Sequence, residues 1–333
     1  MNTIRIKAII FALIIIGSGC SDRNDATLKK TKYQQSWDEF SATIYLESLK
    51  DSLKVLQLTD SHISYHLEGD TLYKSSGHEH MRNAYQKCTT LDGRNSTPIA
   101  CFDSLLDIAV EMRYDLIVLT GDIVNYPSES SVNYVLRKLE ETGIPFIYTA
   151  GNHDWDYGIP GERLSLRKEW TEKVLLPLYQ GKDWLISSTV VSGINFIAFD
   201  NSVAYAQKEQ VEFFRKQIDK GLPIVVLCHI PLYEIPSDDY WSTFGHPGFD
   251  SIYWSSMTEE IKTYYEQVIN NPSSNELLEL LSNSGNVIAV LTGHHHGNKV
   301  QATSGYVQYT THAAFQGGYR LFSFYSMSEI VTP

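Results

Sequence analysis

The chain has 333 residues, 43% of them hydrophobic and 20% charged, with a formal net charge of −12. That composition is ordinary for a folded protein and excludes a disordered or collagen-like chain. The length suits one large catalytic domain, or one carrying a sizeable insertion. The acidic balance argues against binding a nucleic-acid polymer, whose phosphates are neutralised by Lys and Arg.

In chain order, Arg5 and Lys7 come first, then an apolar run from Ile9 to Ile16, the small residues Gly17, Ser18 and Gly19, and Cys20. This is the layout of a secretory signal peptide. The run is shorter than the roughly 20 residues of a membrane-spanning helix. A cysteine directly after the small residues resembles a bacterial lipoprotein signal, with Gly17 where Leu is usual. We therefore expect residues 1–19 to be a signal peptide. Lipidated Cys20 would anchor the protein to a membrane, facing the periplasm or the cell exterior, and residues 20–50 would form a tether and lead-in. Losing residues 1–19 removes Arg5 and Lys7 and no acid, which takes the formal charge from −12 to −14.

Residues 51–333 read as a single domain of alternating strands and helices, hence a layered α/β fold. Short apolar runs predict buried strands at Lys54–Thr59, Leu116–Thr120, Phe146–Ala150, Trp184–Val190, Asn195–Phe199, Ile224–Cys228 and Val287–Thr292. Closing strands are expected at Tyr306–Thr310 and Arg320–Tyr325. Helical periodicity falls on Ile99–Met112, Ser131–Thr142, Leu164–Leu176, Gln207–Lys220 and Glu276–Ser282. Two stretches, about 64–98 and 232–271, break the alternation and read as insertions, which are usually functional in a compact domain.

The chemistry sits where strands end. The five endings are Asp60-Ser61-His62, Gly121-Asp122, Gly151-Asn152-His153-Asp154, His229-Ile230-Pro231 and Gly293-His294-His295-His296. In α/β sheets, ligands bind outside the carboxyl ends of the strands, so the five can converge on one point. The glycines before Asp122, Asn152 and His294 allow sharp turns and close backbone approach. Imidazole and carboxylate together suit Zn, Mn, Fe or Ni better than Ca.

On these motifs the sequence from about Leu53 to His296 resembles the calcineurin-like metallophosphoesterases. The resemblance implies a four-layer β-sandwich flanked by helices, with two divalent or trivalent metal ions (Mn, Fe, Zn or Ni) at the strand ends. It implies one ion on Asp60, His62, Asp122 and His296, and a second on Asp122, Asn152, His229 and His294, with Asp122 bridging. It also implies hydrolysis of a phosphate ester by a water activated between the ions, with His153 contacting the phosphate and serving the leaving oxygen. Asp154 would orient the His153 ring. Purple acid phosphatases of the usual kind carry a ferric-iron Tyr after the Gly-Asp, where this chain reads Ile123-Val124-Asn125. Asp154 stands where protein Ser/Thr phosphatases carry Glu. The pattern is similar to cyclic-nucleotide phosphodiesterases and to the purple-acid-phosphatase-like group without that Tyr.

Several readings stay open at this level. The expected substrate is a small, nucleotide-like phosphodiester or phosphomonoester. The alternatives are a phospholipid head-group phosphodiesterase, similar to sphingomyelinases, and a non-catalytic lipoprotein that binds a ligand on the same scaffold. His78, His80 and Arg82 read as loop residues that could close over a phosphate. Tyr233, Tyr240, Trp241, Phe244, Phe249, Tyr253 and Trp254 could form a small lid core, with one or two rings facing the pocket. His295 is expected to point away from the ions, and Asp200 and Asn201 to cap a turn. His312 is either structural or a support for the ligands. Cys88 and Cys101 either pair or stand as separate thiols. Cys228 reads as a buried thiol.

Overall fold

The computed structural model describes residues 31–65, 85–155, 163–232 and 258–330, apart from residues 260, 261, 264, 265, 267 and 269. The expected signal peptide, Cys20, the loop residues His78, His80 and Arg82 and the aromatic cluster from Tyr233 to Trp254 lie outside the described residues.

The described residues form two six-stranded mixed sheets. The first has the order β1-β2-β14-β3-β6-β7, built from Tyr33–Trp37, Ser41–Leu46, Arg320–Ser326, Leu53–Leu58, Leu116–Thr120 and Phe146–Thr149. The second has the order β12-β13-β11-β10-β9-β8, from Lys299–Ala302, Val307–Thr310, Val287–Thr292, Ile224–Leu227, Ile194–Phe199 and Ile186–Val191. β4 (Cys88–Thr89) and β5 (Asn95–Ser96) form a small separate hairpin. Strands β3, β6 and β7 run parallel, as do β9, β10, β11 and β13.

Period-2 alternation gives each strand two faces, and here both are buried. Leu53 and Val55 of β3 face the second sheet, where they meet Phe196, Val225, Leu227 and Tyr309 in the inter-sheet core. Leu56 and Leu58 of the same strand face outward onto α1 (Pro98–Glu111) and α2 (Glu129–Thr142). On the far side, Val226 and Val290 pack against α5 (Lys208–Ile218) and α6 (Pro272–Asn283). The result is the expected helix–sheet–sheet–helix stack. α3 (Arg163–Trp170) and α4 (Leu176–Tyr179) are joined by a π-helical turn, Thr171–Leu175. Pro177, the second residue of α4, carries no N–H for the ladder.

Gln57 falls on the inward face of β3 and is fully buried. Its amide nitrogen donates to Thr120 Oγ1 (2.9 Å) and to the Thr292 carbonyl (3.0 Å), while its oxygen accepts from Thr311 Oγ1 (2.8 Å). A partnerless buried amide is costly, so this three-way pairing fixes the spacing of the two sheets just below the strand ends.

The structure differs from the sequence expectation in three places. The lead-in read over residues 20–50 contains two strands of the first sheet, β1 and β2. β12 was not anticipated. α6 begins four residues earlier than its periodic run, because Asn271 accepts from the Ser274 amide and Pro272 takes the first helical position, both strong helix-start signals.

Candidate metal centre

The carboxyl ends of β3, β6, β7, β10 and β11 meet at one edge of the sandwich. The turns that carry the side chains are stitched by main-chain bonds: Asp60 N–H to the Gly121 carbonyl (2.9 Å), His62 N–H to the Asp122 carbonyl (2.9 Å), and Gly293 N–H to the His229 carbonyl (3.0 Å). Side chains stitch across as well. Asp60 accepts from the His294 amide at 3.0 Å, and Asp122 accepts from the His153 amide at 2.7 Å. Each carboxylate therefore retains lone pairs that these amides do not use.

Asp60, His62, Asp122, His294 and His296 all have positive φ, between 46° and 71°. Left-handed backbone is uncommon outside glycine, although Asp and His are enriched among the exceptions, and it costs of order 1–3 kcal/mol per residue. Such strain persists where surrounding structure enforces it, typically at functional sites. The predicted glycines act through close approach. A Cβ on Gly151 would sit 2.2 Å from Asp122 Oδ1, and one on Gly293 would sit 1.8 Å from Thr59 Oγ1 and 2.4 Å from Asp60 Oδ2.

Among the described residues, three overlapping groups emerge: Asp60, His62 and His296; His62, Asp122 and His153; and Asp60, Asp122 and His229, with the ligating atoms of each within 4.8 Å of one another. His229 Nε2 lies 3.1 Å from Asp122 Oδ2, and His296 Nε2 lies 3.4 Å from Asp60 Oδ1. His294 Nδ1 is 3.3 Å from His229 Nε2, and His62 Nε2 is 3.1 Å from His296 Nε2. Two imidazole nitrogens aimed at each other at such distances need a proton or a cation between them. Asp60, His62 and His229 are fully enclosed and Asp122 is 2% exposed, while His153, His294 and His296 are half-buried at the rim. A metal ion fits this donor set: hard carboxylates, borderline imidazoles, low solvent access. Asn152 is buried in the same turn as Gly151 and His153.

The protein's own groups set the charge states. Burial alone would raise the Asp60 carboxyl, but the hydrogen bond and charge of His296 outweigh it and hold the pKa near 2. Asp122 is likewise held well below the usual carboxylate range, by His229 and His153 against burial. Burial, with His153 nearby, pushes His62 down to about 3, so it is neutral at pH 7. His153 is lowered for the same leading reason. His229 goes the other way: burial opposes its charge, but Asp122 raises it to about 9.

Asn125 was given no role in the sequence reading, and Asn201, expected only to cap a turn, also supports a candidate ligand. Asn125 Oδ1 accepts from Nδ1 of both His62 (3.3 Å) and His153 (3.2 Å), so one amide fixes two rings. Asn201 Oδ1 accepts from the His229 and Ile230 amides, both at 3.0 Å, and its nitrogen donates to the Ile230 carbonyl at 2.6 Å. His229 Nδ1 also donates to the Thr120 carbonyl at 3.0 Å, which leaves Nε2 for a ligand. Such support sets tautomer and orientation. No sequence signal marks Asn125 beyond its place three residues after Asp122.

One expectation is corrected. Asp154 does not serve the His153 ring. Its oxygens accept from the Val124 and Gly151 amides, each at 2.8 Å, so it ties the Asp122 turn to the Asn152 turn. Asp200 caps its turn as expected, accepting from the Ser202 amide at 2.9 Å. His312 lies outside the three groups, with Nε2 3.7 Å from Glu39 Oε1. His295 also lies outside them, its ring tilted against that of His294 at 5.4 Å. Cys228 is fully buried.

The sequence model of the family described as Calcineurin-like phosphoesterase matches residues 53–298. The chain belongs to the calcineurin-like phosphoesterase family. The family's use of divalent metals agrees with the Asp and His groups gathered here. The chain is 32% identical over 108 residues to a protein of Psychrobacter arcticus described as a probable cyclic nucleotide phosphodiesterase, covering 31% of each. It is 26% identical over 217 residues to a protein of the same description from Psychrobacter sp. strain PRwf-1, covering 57% of this chain and 62% of that one. Both matches span less than two thirds of the relative's length. Among solved structures, a dimetal phosphatase from Danio rerio aligns with a TM-score of 0.49 at 10% identity, covering 82% of this chain and 93% of that one.

Proposed function

We propose that this calcineurin-like phosphoesterase hydrolyses small nucleotide-like phosphodiesters at a two-metal site, with phosphomonoesters as poorer substrates. The observation that carries this reading is the sharing of Asp122 between two groups of side chains, one with His62 and His153 and one with Asp60 and His229. One ion would rest on Asp60, His62, Asp122 and His296, and the other on Asp122, Asn152, His229 and His294. The description of the relatives as cyclic nucleotide phosphodiesterases supports a diester.

Divalent ions held by this set supply Lewis-acid charge to the phosphoryl group and activate water at neutral pH. The chain's own residues do the rest. Asp60 and Asp122, ionised well below neutrality, hold the site ready for cations. His153 is neutral, with Nδ1 turned to Asn125 and Nε2 4.0 Å from Asp122 Oδ2. With its one N–H given to Asn125, neutral His153 holds a lone pair at Nε2; once Nε2 takes up a proton, the imidazolium can donate to a phosphoryl oxygen or pass that proton to the leaving oxygen. Among the described residues, the ion-pair partners of Asp60 and Asp122 are imidazoles rather than Lys or Arg. A dianionic monoester gains more from such extra cations than a monoanionic diester does, which favours the diester.

The test is a rate comparison of Mn-, Zn-, Fe- or Ni-loaded enzyme on 3′,5′-cyclic AMP, bis-p-nitrophenyl phosphate, p-nitrophenyl phosphate and sphingomyelin vesicles. Diesters cleaved faster than the monoester are expected. A preference for p-nitrophenyl phosphate sinks the diester assignment, and cleavage confined to vesicles moves it to lipid head groups. We also propose export and anchoring through lipidated Cys20, on the strength of the signal layout. Radiolabelled palmitate should enter the wild-type protein and not Cys20→Ser; equal labelling of both, or of neither, sinks the anchor.

A further inference from the structure

Two aromatic residues flank the histidines on the Asp60 side of the centre. Tyr85 lies face to face on the His62 ring, with centroids 4.2 Å apart and planes 4° from parallel. Phe315 presents its edge to His296 at 5.1 Å, to His62 at 5.6 Å and to Tyr85 at 5.0 Å. Both rings are half-buried. Their sequence positions are 230 residues apart, so only the fold joins them.

Each ring is held from behind. The Phe315 amide donates to the Asp60 carbonyl at 3.0 Å, and the neighbouring Ala314 amide to the Thr59 carbonyl at 2.8 Å. This ties the Phe315 turn to the strand end that supplies Asp60 and His62. The Leu91 amide donates to the Gln316 carbonyl at 3.0 Å, which ties the β4–β5 hairpin to the same turn. Tyr85, three residues before β4, has φ of 56°. An aromatic side chain in left-handed backbone is a true outlier, and it stays there only because its surroundings enforce it.

We propose that Tyr85 and Phe315 are positioning residues: an aromatic clamp that fixes the imidazoles of His62 and His296 and shields that half of the centre from water. The proposal rests on the two-metal reading above. His62 is gripped on three sides, by Asn125 at Nδ1, by Tyr85 on one face and by the Phe315 and His153 edges. Its Nε2 is left toward Asp60, Asp122 and His296. Fixed ligands lose less freedom when they bind a cation, and a drier surround strengthens the attraction. The clamp touches the ligands of one proposed ion and not His229 or His294 among the described contacts, so its effect is confined to one metal equivalent.

The experiment is calorimetric titration of the metal-stripped protein with Mn(II) and Zn(II), for wild type, Tyr85→Phe, Tyr85→Leu and Phe315→Leu, with thermal melts of each. Removing an outer support typically weakens a metal site about 10–100-fold. We expect that loss for one of two equivalents in Tyr85→Leu and Phe315→Leu. The second equivalent should stay within about threefold, as should both equivalents in Tyr85→Phe, whose ring still stacks. Co(II) absorption of the weakened equivalent should shift in the two Leu variants. The clamp is overturned if both Leu variants bind as wild type, if both equivalents weaken alike, or if Tyr85→Phe is as impaired as Tyr85→Leu. A wild type that takes up fewer than two equivalents overturns the two-metal reading itself, a separate outcome.

Discussion

At the scale of single residues, the centre is crowded backbone on which ligating side chains have been placed. Gly293 shows how little room remains, since its absent Cβ would overlap Thr59 Oγ1 and Asp60 Oδ2. Gly293→Ala should abolish metal uptake and cost more than about 3 kcal/mol, as overpacking plus displaced ligands. Gly297→Ala meets nothing closer than 3.7 Å and should lie within about 0.5 kcal/mol of wild type. Denaturant melts and metal analysis of the two decide it, and a tolerant Gly293→Ala contradicts the geometry. His229 gives the pH dependence. Metals bind neutral imidazole, and Asp122 raises the His229 pKa to about 9 against burial. Below pH 9 a metal must therefore displace that proton. Affinity should rise from pH 7 to 9 by about tenfold per unit for each proton displaced and flatten above; a flat profile across that range contradicts it. The same shift stabilises the metal-free protein fully below pH 6.5, a gain lost as pH rises through about 9. Asp, His and Gly were legible because their chemistry in this pattern has few other uses. Asn125, Tyr85 and the support that Asn201 gives His229 were not, because asparagine caps turns everywhere and tyrosine fills cores everywhere.

At the scale of elements, the work is done by turns that hold one another. Asp154 shows it, with one carboxylate accepting amides from two different turns, at Val124 and Gly151. Asp154→Ala strands both buried N–H groups at about 1–3 kcal/mol each. It should lower stability by about 2–5 kcal/mol and weaken metal binding; if stability is intact and only the pH profile of activity moves, then Asp154 serves His153 after all. The β4–β5 hairpin makes a second prediction. Cys88 Sγ lies 3.9 Å from Cys101 Sγ, both as thiols, so the sequence proximity is also a spatial one. Burial, and then the Cys101 sulfur, raise the Cys88 thiol to about 11. Exchange with a small-molecule disulfide needs the thiolate. An intramolecular crosslink should form slowly at pH 7 and faster toward pH 10, losing two hydrogens by mass spectrometry; mixed adducts that never resolve to the crosslink contradict it. Elements with long apolar runs were read to within a residue or two. β1 (Tyr33–Trp37) escaped because it is polar and mostly exposed. β2 escaped because its alternation, Ser41 to Leu46, mixes Ser, Thr and Tyr with the apolar positions and lacks the continuous apolar run of the central strands.

At the scale of the molecule, the four layers follow from the alternation of apolar strands and amphipathic helices, but the strand order does not. β14, the last strand, lies between β2 and β3, a pairing across most of the chain that no local pattern encodes. Nor does any local pattern announce that Gln57, inside an apolar strand, joins the two sheets through Thr120, Thr292 and Thr311. What the sequence did carry was the order of the five strand ends. The sandwich then brings them to one edge, so that the site belongs to both sheets and to neither alone. Asp122 is where the halves meet, paired with His229 from the second sheet and close to His62 from the first.

The central claim is that Asp122 is shared by two metal ions that this phosphoesterase needs. The measurement is metal stoichiometry by calorimetry and elemental analysis on stripped protein reloaded with Mn(II) or Zn(II), for wild type, Asp122→Ala and His229→Ala, with bis-p-nitrophenyl phosphate hydrolysis read in the same samples. Wild type should take up two equivalents and regain hydrolysis, Asp122→Ala should lose tight binding of both ions, and His229→Ala should lose one. Hydrolysis that survives complete removal of metal, or Asp122→Ala still binding two ions as tightly as wild type, would contradict it.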